Sequence, residues 1–121
     1  MSTHNFFKKT VQATIASGAS VSGSLEAMDS ALIGFVMPAV WNTAALNIEV
    51  SMDNATWATV VYDDNGLAVS SWATPVAAAA YAVDALSMLP WRYVRFRSGT
   101  SGSPANQGAD RLITAVMRPL A

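Results

Sequence analysis

The chain has no cysteine among its 121 residues, so disulfides and thiolate metal sites are excluded and any fold must rest on an apolar core. Charge is also scarce, at 12% of residues, against about 25% in an ordinary soluble domain. Small monomers usually stay soluble by carrying charge. A chain this neutral is therefore expected to cover part of its surface with a partner or with copies of itself. Alanine, at 22 positions, contributes much of the 52% hydrophobic content. The net charge of −1 gives no general attraction to nucleic acid or to an acidic membrane. Five of the seven lysines and arginines lie from Arg92 onward, where Arg92, Arg95, Arg97, Arg111 and Arg118 stand against a single acid, Asp110.

Histidine occurs once, as His4 close to the N-terminus, which leaves Ser–His or Cys–His catalysis without a positioned base. Asp53, Asp63 and Asp64 fall where turns need aspartate for backbone reasons, and Glu49 falls on the polar side of a strand pattern. No carboxylate pair stands out, so the chain is expected not to be an enzyme and to carry no cofactor. Asp63-Asp64-Asn65 clusters oxygen ligands but lacks the spacing of a calcium loop, and a solvated turn accounts for it. No apolar stretch precedes a cleavage site at the N-terminus. The two 19-residue stretches without charge, Ser30 to Ile48 and Asn65 to Val83, contain proline or several polar residues, so no membrane span is expected.

What the sequence does have is alternation. Val11, Ala13 and Ile15 alternate with polar neighbours, Leu32 to Met37 forms an apolar run stopped by Pro38, and Leu46, Ile48, Val50 and Met52 share one face opposite Asn47, Glu49 and Ser51. Asp53 to Thr56 then reads as a turn into Trp57 to Tyr62, making a hairpin. Asp63 to Gly66 reads as a second turn, with Leu67 to Ser70 returning as a short strand. Tyr81 to Asp84 is expected to be a strand and Ala85 to Leu89 a helical turn closed by Pro90. In Arg92 to Arg97, Val94 and Phe96 point inward and Tyr93, Arg95 and Arg97 outward. Ser98 to Asp110 reads as a long loop, and Arg111 to Arg118 as a last strand. The pattern predicts a single all-β domain over residues 1–121, an antiparallel β-sandwich with a flexible N-terminal segment of about nine residues. Ile48, Val50, Trp57 and Phe96 are its expected core. Trp41, Trp72 and Trp91 lie in or beside connections, where they either form a contact surface or cap the ends of the core.

Two resemblances follow from these elements. Ile48 to Trp57 resembles the strand, Ser-x-Asp-Gly-x-x-Trp hairpin of discoidin-type, galactose-binding-like (jelly-roll) sandwiches, with Asn54 in place of the usual glycine, and Trp91 to Arg97 is similar to a later strand of such domains. Leu32 to Ala39, Trp41, the hairpin, Tyr62-Asp63-Asp64, Arg97 to Thr100 and Pro104 to Gln107 resemble small virion proteins of tailed bacteriophages. The second resemblance implies a structural virion protein, either a head decoration (cement) protein or one associated with the tail. Its implied partners are the major capsid or tail protein and further copies of itself, and its location is the virion, after synthesis in the host cytoplasm. The first implies instead a ligand- or glycan-binding module. For the virion role the expected interface residues are Trp41, Trp72, Arg95, Arg97, Ser98, Gly99, Asn106 and Gln107.

Overall fold

A computed structural model of the chain describes residues 8–60 and 71–119. Their elements, in order, are β1 (Lys9–Ile15), β2 (Leu25–Glu26), β3 (Ser30–Val36), β4 (Leu46–Ser51), β5 (Ala58–Thr59), β6 (Ser71–Trp72), β7 (Ala80–Ala82), the single helical turn α1 (Ala85–Met88), β8 (Tyr93–Ser98) and β9 (Arg111–Pro119). The strands form two antiparallel sheets. The first has the order β1-β9-β3-β7; the second has β2-β8-β4-β5, with β6 also pairing β4. The predicted β-sandwich is thus the observed architecture.

Alternation decides which residues fill the space between the sheets. Ala13 and Ile15 from β1, Ile113, Ala115 and Met117 from β9, Leu46, Ile48 and Val50 from β4, and Val94 and Phe96 from β8 are all buried in one cluster. Each large side chain among them stabilises the fold by roughly 1.5–3 kcal/mol relative to exposure. Phe35 of β3 stands at its centre, edge-on to Phe96 at 5.2 Å and to Trp72 at 4.9 Å, and stacked on Tyr81 at 5.4 Å. The β3–β9 register shifts between Leu32 and Gly34. Glycine is needed there because an added Cβ would stand 3.0 Å from the Tyr81 carbonyl oxygen.

Several expectations are corrected. Trp57 is not a core residue: register pairs Val50 with Ala58, so Ala58 takes the inner side and Trp57 the outer. Met52 lies past the end of β4 and is 51% exposed. Glu49 points to the outer face as its pattern implies, yet it is 2% exposed, because neighbouring side chains cover it. The returning strand at Leu67 to Ser70 and the second turn at Asp63 to Gly66 lie outside the described residues.

Candidate contact surfaces

The eight residues singled out as an interface fall in three places. Trp41, Ser98, Gly99, Asn106 and Gln107 belong to the end of the sandwich where the 99–110 loop crosses the connections at 16–20 and 41–45. Gln107, 1% exposed, ties these segments together. Its Oε1 accepts from the Asn42 N–H at 2.9 Å and from Arg111 Nε at 3.1 Å, and its Nε2 donates to Ser98 Oγ at 2.9 Å. Its backbone N–H donates to the Ala19 carbonyl, and its carbonyl accepts from the Gly18 N–H. Gly99 has φ +80°, and a Cβ there would stand 2.5 Å from the Ser103 carbonyl oxygen and 2.7 Å from the Ala105 nitrogen. The loop is therefore fastened at both ends. Its exposed tip, Thr100 to Pro104, is closed by reciprocal backbone bonds between Thr100 and Ser103. Asn106 is exposed, and Trp41 is half-buried with its Nε1 donating to the Ala44 carbonyl.

Trp72 lies in the same cross-strand row as Ser98, on β6 across Leu46, with its ring turned in against Phe35. Arg95 and Arg97 lie on the outer face of the second sheet. They flank Glu49, with Arg95 Nε 2.8 Å from Oε1 and Arg97 Nε 2.6 Å from Oε2. The Trp57 ring covers the Arg95 guanidinium at 4.3 Å, a cation–π contact that shields the pair from water. Here polar residues complete the fold from outside the core.

At the opposite end, Asp53 organises the β4–β5 turn. Its Oδ1 accepts from the Thr56 and Ala55 N–H groups and from Ser51 Oγ, and these bonds lower its carboxyl from 3.8 to about 2. Asn54, at φ 60°, takes the left-handed conformation that glycine takes in the resembling hairpins. Beside this turn lies a cavity of about 420 Å³ lined by Val50, Met52, Ala58, Val60 and Trp91, with Ser51, Asp53, Thr56 and Thr59 at its polar side.

The outer face of the first sheet is a further surface, outside the eight residues singled out from the sequence. Register lines up Thr10 with Val116, Gln12 with Thr114 and Thr14 with Leu112, and continues the first two rows to Gly34 with Ala82 and to Val36 with Ala80. No charged residue occurs among these ten positions, and all but Gly34 are exposed or half-buried. The signal was present in the sequence: from Thr10 to Thr14 and from Leu112 to Val116 the outward positions are threonine, glutamine, leucine and valine where an exposed sheet usually places lysine or glutamate, and charge returns at the end of the face with Arg118. Among the described residues, no three histidine, aspartate or glutamate side chains come together as a metal site, and no helix is long and apolar enough to cross a membrane.

Taken together, the order of strands and the packed interior define a two-sheet antiparallel β-sandwich that presents, among the described residues, a sheet face with a largely uncharged centre and two loop ends. Among solved structures the chain is similar to the SPBc2 prophage-derived protein YomS, with a TM-score of 0.56 at 9% identity over 92% of this chain and 94% of that one. At that identity the likeness shows a shared fold. No family model and no curated protein matches the chain, the discoidin-type families included.

Proposed function

We propose that this chain is a structural protein of a tailed-phage virion, a head decoration protein that holds neighbouring capsid subunits and works as a homo-oligomer without catalytic activity. The observation that carries this reading is the uncharged patch, Thr10 to Thr14 with Leu112 to Val116 and their β3 and β7 neighbours, on the outer face of the β1-β9-β3-β7 sheet. Four strands at ordinary spacing give it an area of roughly 400 Å². A patch of that size, with Arg118 only at its end, loses little on desolvation and suits burial under a protein neighbour. The end-to-end fold likeness to a prophage-derived protein supports a phage setting. Two carboxylates that might have served chemistry, Glu49 and Asp53, are occupied in holding the second sheet and its turn. The test is co-sedimentation of the pure chain with capsids and, separately, with tails. Saturable binding to capsids that Leu112→Lys or Thr114→Lys abolishes supports the assignment; tail binding alone moves the protein to the tail, and binding to neither defeats the reading.

The cavity beside Trp91 favours a second reading, a ligand- or glycan-binding module, because its volume suits a small molecule and an indole offers a stacking surface. Saturable quenching of tryptophan fluorescence by a sugar, lost in Trp91→Ala, would establish it.

A further inference from the structure

We propose that β1 is a docking edge for the β1 of a second copy of this chain, the two strands pairing antiparallel about a twofold axis at Val11 so that two first sheets join into one of eight strands. The inference deepens the contact role proposed above and rests on it for its purpose, but the pairing itself is tested on pure protein.

Three observations lead to it. First, β1 is the edge of its sheet and meets β9 in seven consecutive pairs with no shift, so its open side is long and regular. Common protections of an edge are a bulge, a proline, a central charge or a short strand, and none occurs between Thr10 and Ala13. Second, among the described residues the open side is covered only at its far end, where the Gly23 N–H donates to the Thr14 carbonyl and Ile15 bridges Ser22. Since the Thr14 carbonyl faces outward, alternation turns the N–H and C=O groups of Thr10 and Gln12 outward as well. These residues are exposed, and Val11 between them is 37% exposed.

Third, the strand's own residues select one register. An axis at Val11 sets Thr10 against the partner's Gln12 and Gln12 against the partner's Thr10, which satisfies four outward N–H and C=O pairs. Val11 then meets Val11, and Lys9 meets Ala13. Moving the axis toward the N-terminus draws the lysines of the two copies together, which is unfavourable across a strand pair. Moving it the other way drives the partner into Ser22 and Gly23. Joined in this register, the uncharged patches of the two outer faces become continuous, and together they reach roughly 800 Å², the area one partner contributes to a standard interface.

Sedimentation velocity of the full chain over a concentration series provides the test, together with single-cysteine variants that are unambiguous because the chain has no cysteine of its own. A reversible dimer is expected. Val11→Cys should give a disulfide-linked dimer on mild oxidation, whereas Thr14→Cys should not, since the two Thr14 residues stand about 20 Å apart in this register. Gln12→Pro removes an outward donor without touching the β9 ladder and should weaken the dimer about tenfold or more with the β signal of circular dichroism intact. Val11→Lys, which sets like charges on the axis, provides the same readout if the proline variant does not fold. A strictly monomeric chain, equal cross-linking through positions 11 and 14, or a dimer indifferent to both substitutions overturns the proposal. A monomer that still binds capsids removes the edge pairing and leaves the virion role; a dimer that ignores capsids does the reverse.

Discussion

The two sheets of this sandwich present opposite outer faces. That of the β4 sheet carries Glu49, Arg95, Arg97 and Trp57, a charged cluster closed over itself with Glu49 out of contact with water. That of the β1-β9-β3-β7 sheet carries threonine, glutamine, alanine, valine and leucine across its centre, with Arg118 at one end, and these side chains are exposed or half-buried. Polarity pattern alone would rank the first face as solvent-facing and the second as half-suited to a core. The difference shows that a charged outward residue can belong to the fold while a neutral one is left for a partner. What decides is cross-strand neighbourhood: Glu49 pairs with Arg95 across the ladder, and Arg97 is two residues further along the same strand.

The largest test of this contrast is Glu49→Ala. It leaves two arginines facing each other without their shared carboxylate, and should cost about 3 kcal/mol in chemical denaturation, comparable to removing a buried ion-pair partner. That would match Ile48→Ala, an inner-face truncation expected to cost roughly 2–5 kcal/mol. A loss below about 0.5 kcal/mol, the ordinary surface value, would show that the cluster is as dispensable as an exposed pair. Gly99→Ala comes next. Its Cβ has no room between Ser103 and Ala105 at a positive φ, so destabilisation of more than about 1 kcal/mol is expected in the same assay.

Leu112→Lys sharpens the comparison from the open side. Leu112 is 42% exposed, so unfolding should change by no more than about 0.5 kcal/mol while capsid co-sedimentation is lost. The smallest effect is acidic. Asp53 is ionised more readily in the fold than in the unfolded chain, so its contribution is complete above pH 3.8 and is lost as pH falls toward about 2. Thermal unfolding followed from pH 4 to 2 should therefore fall less steeply in Asp53→Asn than in the parent.

Much of the fold was legible because strands with one buried face state their own facing: Ile48, Val50, Val94 and Phe96 point inward as their alternation demands. The hairpin was legible from Asp53 and Asn54, whose side chain and backbone serve the turn itself. Trp57 was misplaced because a large apolar ring suggests a core, whereas strict alternation from Ala58 sets it outside. The contact surface was much less legible. Gln107 looks like a loop residue until Asn42, distant in sequence, is brought to its side chain, and the same applies to Arg97 and Ser20. Those partners are chosen by long-range pairing, which no local window contains.

The place of β9 in the middle of its sheet has a consequence for how the chain is made. β1 and β3 do not pair with each other; each is paired by β9, which is translated after both and after every strand of the other sheet. A nascent chain emerging from the ribosome can close the β4–β5 hairpin and pair β8 with β4 once those segments are out, but β1 must wait nearly a hundred residues for its partner. Joining β1 and β3 into the first sheet is thus a late event governed by long-range loop closure, of the slow kind seen in proteins dominated by distant strand pairs. Until β9 arrives, the strand that carries the open edge has no partner beyond the short contact of its last residues with Ser22 and Gly23, and a cell producing many copies at once must keep those strands apart by the speed of that one step.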